Sequence, residues 1–190
     1  MATKARERLL AAAEMLFYAD GIRATGIERV LQESGVGRAS FYRHFSSKDD
    51  LVVEVLHGRD ARWRAWLEQA VDARVLPARN RPLAVFDALA ERFARNDFRG
   101  CAFINTMVET ADSAGVAFQA AAEHKRRVTD YLDHLLSDAG YPDHAALAEQ
   151  LQLLVDGAIV TALREGSPDA AHRARSIAAA VLAAHPSGKS

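Results

Sequence analysis

Between residues 21 and 48 the chain reads GIRATGIERVLQESGVGRASFYRHFSSK, where two short apolar patterns meet at a glycine. No other stretch restricts the fold as much. Ile27, Val30 and Leu31 fall at helical spacing on one face of a helix expected over about 26–34, with Thr25 as its cap. Gly35 supplies the residue that tolerates a left-handed backbone at a tight corner. Val36 restarts the apolar pattern, and a second helix over about 37–45 would bury Phe41 and Phe45. That leaves Arg38, Ala39, Ser40, Tyr42, Arg43 and His44 on its outer sides. Ser47 can cap the next helix, and Lys48 stands in that helix's first turn. A cation there opposes the helix dipole, so folding gives little reason for it, whereas a phosphate partner does. The pattern is that of a helix-turn-helix whose second helix enters a DNA major groove.

The rest of the chain is punctuated as helix. All five prolines (77, 82, 142, 168 and 186) fall where helical patterns start or stop. No segment sustains the two-residue alternation of a strand, which predicts an all-α protein. Helices are expected over about 4–19, 48–75, 80–96, 102–110, 113–137, 144–164 and 168–184. Ser113 is read as one cap, and Ser167-Pro168-Asp169 as another helix start. The reading gives a head at 1–47, a helical body at 48–185 and a tail at 186–190.

Charge supports the division. Residues 1–48 carry eight Lys or Arg against five acids, while the whole chain of 190 residues has a net charge of −1. A basic head on an acidic body suits a polyanion at one end. An apolar fraction of 49% with 26% charged residues describes a globular protein with a substantial core. No apolar run approaches a membrane span and the start lacks a secretory pattern, so a cytoplasmic protein is expected, with no membrane partner. The single cysteine, Cys101, rules out an internal disulfide framework or a multi-cysteine zinc site.

The run G-V-G-R-A-S-F-Y-R-H-F-S-S-K-D-D-L, Gly35 to Leu51, resembles the signature of the TetR family of bacterial transcriptional regulators. The glycine-valine turn, the serine-aromatic-tyrosine core, the tyrosine-x-histidine-phenylalanine ending and the lysine beyond it agree in register. Arg38 stands where many members carry lysine and Ala39 where many carry glycine, while Arg43 occupies a variable position. The resemblance implies a head of three helices followed by a helical bundle that binds an effector and dimerises. It also implies that Tyr42, His44 and Lys48 grip phosphates, with Thr25 doing likewise at the head of the preceding helix. Arg38, Ala39 and Ser40 would lie near base edges, with Arg38 suited to guanine, and Arg43 would touch the backbone. The implied partners are a palindromic double-stranded operator, a second copy of the chain, and an unidentified small molecule that releases the protein from DNA.

In the body, Leu151, Leu154, Gly157 and Ala158 lie on one apolar stripe, and Ala174, Ile177, Ala178 and Val181 on another. Two such stripes either close a monomer's core or form a two-fold interface, and the resemblance points to the interface. Trp63, Trp66, Phe103, Met107 and Tyr131 belong to an aromatic-rich middle, where Asn105 and Glu109 are polar residues in the apolar run CAFINTMVE. Buried polar groups need partners, and an effector is one candidate. Cys101 reads as a small packing residue or a sensor. The seven histidines show no metal-ligand spacing, and His124-Lys125-Arg126-Arg127 reads as a solvated face. No nucleophile elbow, phosphate loop or acid pair is present, so neither catalysis nor a cofactor is expected. The rival readings are an activator or ligand-independent DNA binder with the same head, and a helical enzyme with a vestigial one.

Overall fold

The computed structural model of the chain describes residues 2–185, with side chains from Lys4 onward; the expected tail at 186–190 lies outside them. The helices are α1 (Ala2–Asp20), α2 (Ile27–Ser34), α3 (Arg38–His44), α4 (Lys48–Asp72), α5 (Arg81–Phe93), α6 (Ala102–Thr110), α7 (Val116–Asp138), α8 (His144–Glu165) and α9 (Asp169–Ala183). A single 3-10 turn, Ala78–Asn80, precedes α5, and no strand occurs among the described residues.

Local chemistry explains the helix ends. Gly35 closes α2 with φ 61° and ψ 30°, and the Val36 N–H donates to the Leu31 carbonyl at 3.3 Å, as in a Schellman turn. Ser47 caps α4, its hydroxyl accepting the Asp50 N–H at 3.1 Å, and the Asp50 carboxylate accepts the Ser46 N–H at 2.8 Å. Four expectations need correction, the first being that α5 stops at Phe93 rather than Asn96. Thr25 does not cap α2; it is wholly buried, and its hydroxyl donates back to the Gly21 carbonyl at 2.8 Å. Helix α4 stops at Asp72 rather than Val75, because Val75 adopts φ 45° and Pro77 forces extended backbone on the residue before it. Helix α7 starts at Val116 because the Asp112 carboxylate accepts the Ala114 N–H at 3.1 Å, forming a turn where a Ser113 cap was expected.

The chain divides into two compact units. The first comprises 1–62 and 102–124, so α6 and the start of α7 belong with the head helices. In it α1 packs on α2 and α3 over Leu9, Ala13, Val30, Phe41, Phe45 and Leu51, all nearly inaccessible to solvent. The second comprises 63–101 and 125–190, in which α5, α8 and α9 pack around Phe86, Leu89, Leu132, Leu151, Ala171 and Ala178.

Helix α8 departs from the expectation on apolar length, since His144–Glu165 is long and apolar enough to cross a membrane. Its Leu147, Ala148, Leu151, Val155, Ala158, Ile159 and Ala162 are instead buried within the second unit. Burial of that stripe accounts for part of its hydropathy.

Candidate nucleic-acid interface and body surfaces

Helix α3 is held from beneath and presents its outer side to solvent. Phe41 and Phe45 are buried, with ring centroids 5.7 Å apart, and anchor the helix to α1. The Arg8 guanidinium reaches from α1 to the end of α2, donating to the Ser34 carbonyl at 2.8 Å and to the Gly35 carbonyl. These are orphan carbonyls at a helix end, so Arg8 fixes the corner that aims α3. Sequence reasoning missed it, because the bond joins residues far apart in the chain.

On the outer side Arg38, Ala39, Tyr42 and Arg43 are exposed, while Ser40 and His44 are partly covered. The Arg38 guanidinium forms an ion pair with Glu28 of α2, and both side chains are largely in solvent. Tyr42 stands edge-on to Phe41 with centroids 5.1 Å apart, which fixes its ring. Lys48 is half-buried, and its ammonium donates to the Ile22 carbonyl at 2.5 Å. Folding thus supplies a reason for that cation, contrary to expectation. An ammonium carries three donors, so two stay available to another acceptor.

The residues singled out in the body fall into different units. In the first, Phe103 is buried and its ring stacks on His124 with centroids 3.5 Å apart and planes 12° apart. Asn105 is exposed on α6 and Met107 half-buried. The two carboxylate oxygens of Glu109 accept the backbone N–H groups of Ile22, at 2.9 Å, and Arg23. His124 is nearly inaccessible, and its Nδ1 lies 2.7 Å from Asp60 Oδ1, another buried group. The expected solvated face therefore starts with a core residue, and Lys125 pairs with Asp156 at 2.6 Å. The Asp60–His124 pair spans 64 residues, and no local sequence signal marks it.

In the second unit Trp63 and Trp66 are half-buried, their centroids 5.8 Å apart. The Tyr131 hydroxyl is buried with no hydrogen-bond partner among the described residues, and burial, with Asp72 nearby, pushes its pKa up to about 12. Cys101 is half-buried against the core. A cavity of about 380 Å³ opens between Phe93, Phe98, Ala162, Leu163, Gly166 and Pro168, with Arg95 at its edge. Among the described residues no three His, Cys, Asp or Glu side chains gather as metal ligands would.

The two expected interface stripes split by exposure. Leu151, Ala158, Ala174 and Ala178 are buried in the chain's own core, while Leu154 and Val181 are half-buried. Gly157 is exposed, with no atom within 4 Å of where a Cβ would stand, and Ile177 is 52% exposed. Leu153, Val160 and Leu163 on α8 are 75%, 52% and 48% exposed, and sequence reasoning had not named them. Leu153, Gly157 and Val160 follow helical spacing along the outer side of α8. The available signal was a surplus: α8 has more apolar residues than one buried stripe needs.

Comparison with known proteins agrees with this geometry. Residues 9–55 match the bacterial regulatory proteins of the tetR family, and residues 83–176 match the C-terminal domain of LmrA/YxaF-like transcriptional regulators. The HTH-type transcriptional regulator YjdC of Escherichia coli K12 is 26% identical over 171 residues, spanning 88% of this chain and 90% of its own length. An HTH-type transcriptional regulator of Mycobacterium tuberculosis, Rv0196, is 30% identical over 170 residues, spanning 83% of each chain. The crystal structure of SCO4454, a TetR-family transcriptional regulator from Streptomyces coelicolor, superposes with a TM-score of 0.83 at 33% identity, covering 94% of this chain and 96% of that one. With its helix-turn-helix and helical body matched along most of its length, the chain belongs to the TetR family of DNA-binding transcriptional regulators.

Proposed function

We propose that this regulator is a repressor that binds a palindromic operator as a homodimer and is released by a small molecule. The observation that carries the reading is the outer side of α3, where Arg38, Ala39, Tyr42 and Arg43 are exposed on a helix anchored by Phe41 and Phe45. In this reading Arg38, Ala39 and Ser40 meet base edges. Tyr42, Arg43, His44 and the two spare donors of Lys48 meet phosphates. Thr25 would contribute through the turn it stabilises, since its side chain is buried. Residues 1–47 are then the DNA-binding domain, and 48–185 the effector-binding and dimerisation domain.

A palindrome calls for two copies, and the exposed apolar side of α8, with Ile177 also exposed on α9, suits a two-fold contact. Gly157 lets a partner helix approach closely there. Effector binding draws support from the Tyr131 hydroxyl, which is buried with no hydrogen-bond partner among the described residues, in a unit that also holds the half-buried Trp63 and Trp66. Asn105 and Met107 on α6 are the further candidates from the sequence.

Selection of bound fragments from the source genome is expected to return an inverted repeat. A reporter placed behind that repeat should fall in output when the regulator is supplied. A rise instead would make the protein an activator, and recovery of no preferred sequence would overturn the reading. Screening small molecules against the fluorescence of Trp63 and Trp66 then tests release. A compound that shifts emission should weaken operator binding, because it must favour the DNA-incompetent state to do so.

A further inference from the structure

The last turn of α6 grips the turn that introduces the helix-turn-helix, and both lie in the first unit. Gly21, at φ 94°, follows the end of α1 and precedes two consecutive backbone N–H groups, those of Ile22 and Arg23. One carboxylate takes both: Glu109 Oε2 accepts from Ile22 at 2.9 Å and Oε1 accepts from Arg23. The Arg23 guanidinium returns a bond to the Thr110 carbonyl at 3.0 Å. That carbonyl lies at the end of α6, where Ala111 turns left-handed at φ 52° and stops the helix. From the other side Lys48 holds the Ile22 carbonyl, and Thr25 holds the Gly21 carbonyl. A Cβ on Gly21 would stand 3.0 Å from Glu109 Oε1, so the carboxylate's approach needs the glycine as much as the turn does.

We infer that Glu109 is a positioning residue for operator binding: its carboxylate clamps the α1–α2 turn in the register that sets α2, and through α2 the recognition helix. The sequence suggested an effector contact for this residue, yet both of its oxygens are engaged by the backbone of the head. Charge-assisted bonds to backbone N–H groups are among the stronger ones available to a turn. Breaking them should release Ile22 and Arg23 while leaving the cores of both units intact. The inference rests on the reading that α3 docks on DNA.

The test is Glu109→Gln, which keeps the size of the side chain. Its amide group offers one acceptor oxygen and turns an NH2 toward the second backbone donor, so one bond is lost. Operator affinity should fall roughly tenfold, within the 5- to 150-fold range typical of coupling between sites. The slope of affinity against salt should stay unchanged, since no phosphate contact is removed. Hydrogen exchange at the Ile22 and Arg23 amides should accelerate. Simple electrostatics gives the opposite sign, because removing an acid from a DNA-binding unit strengthens binding to a polyanion. Equal or tighter binding by Glu109→Gln, or unchanged exchange at the two amides, overturns the clamp. Wild-type protein that binds no DNA would instead indict the DNA reading, and the exchange measurement would still judge the contact. Should Glu109→Gln unfold, Glu109→Asp carries the test. It keeps the carboxylate but shortens its reach to the Ile22 and Arg23 amides, with about a fivefold loss of operator affinity expected and no loss overturning the proposal.

Discussion

At the scale of single residues, the ion pair between Arg38 and Glu28 bears on how α3 reads DNA. Both side chains are more than half exposed, so the pair adds little stability and gives up its arginine readily to a guanine. Arg38→Ala should relax preference at particular base pairs by about 1–3 kcal/mol, as measured across operator variants. Equal loss on every variant would contradict base reading. Glu28→Gln should do the reverse of a specificity gain, freeing Arg38 to meet phosphates on any sequence. Competition with non-specific DNA is expected to show a salt slope steeper by about one phosphate. Tyr131 gives a prediction of another kind. Burial lifts its pKa to about 12, so the folded chain holds that proton more tightly than the unfolded one, whose tyrosines ionise near 10 on the scale of ~10 for free side chains. The associated stability is complete below about pH 10 and is lost as pH rises through the folded value. An alkaline titration of tyrosinate absorbance should show a late step that Tyr131→Phe removes. Residue roles were legible where they depend on helical spacing, as for Phe41 and Phe45. They were not where a distant backbone supplies the partner, as for Lys48 with Ile22 or Glu109 with the same turn.

At the scale of elements, the corner at Gly35 and the surface of α8 carry opposite lessons. The corner could be read from sequence because its chemistry is local: only a residue at ease with φ 61° ends α2 there. Gly35→Ala should lower stability in a denaturant titration by about 1 kcal/mol or more, since the native backbone strains any Cβ. The surface of α8 could not be assigned in the same way. Periodicity shows that two stripes exist, and only packing decides which is used inside the chain. Ala158, Ala174 and Ala178 are used inside, whereas Leu153, Val160 and Ile177 are not. The two sets should therefore respond differently to a buried charge. Val160→Glu or Ile177→Glu is expected to split the proposed dimer while helical content persists. Ala178→Glu is expected to unfold the second unit, because the site has no room or partner for a carboxylate. Light scattering with circular dichroism separates these outcomes, and an intact dimer for Val160→Glu would move the interface elsewhere. Helix α6 came out at its expected ends, while α4 and α7 did not, since a left-handed valine and an aspartate turn are set by neighbours that periodicity ignores.

At the scale of the whole molecule, a family match along most of the chain goes with a recognition helix that is anchored beneath and exposed above. The all-helical class and the head were legible because they rest on helical spacing and turn chemistry. The membership of α6 in the head's compact unit was not, since it depends on contacts between residues about ninety positions apart such as Ile22 and Glu109. In the proposed function two copies place two α3 helices in successive major grooves of one operator. Hydroxyl-radical footprinting on the selected inverted repeat tests that arrangement. Two protected patches are expected on one face of the duplex, roughly 34–36 Å or a multiple of that apart, both lost when α3 carries Arg38→Ala and Arg43→Ala. A single patch, or protection that spreads evenly over any DNA and ignores those substitutions, would contradict it.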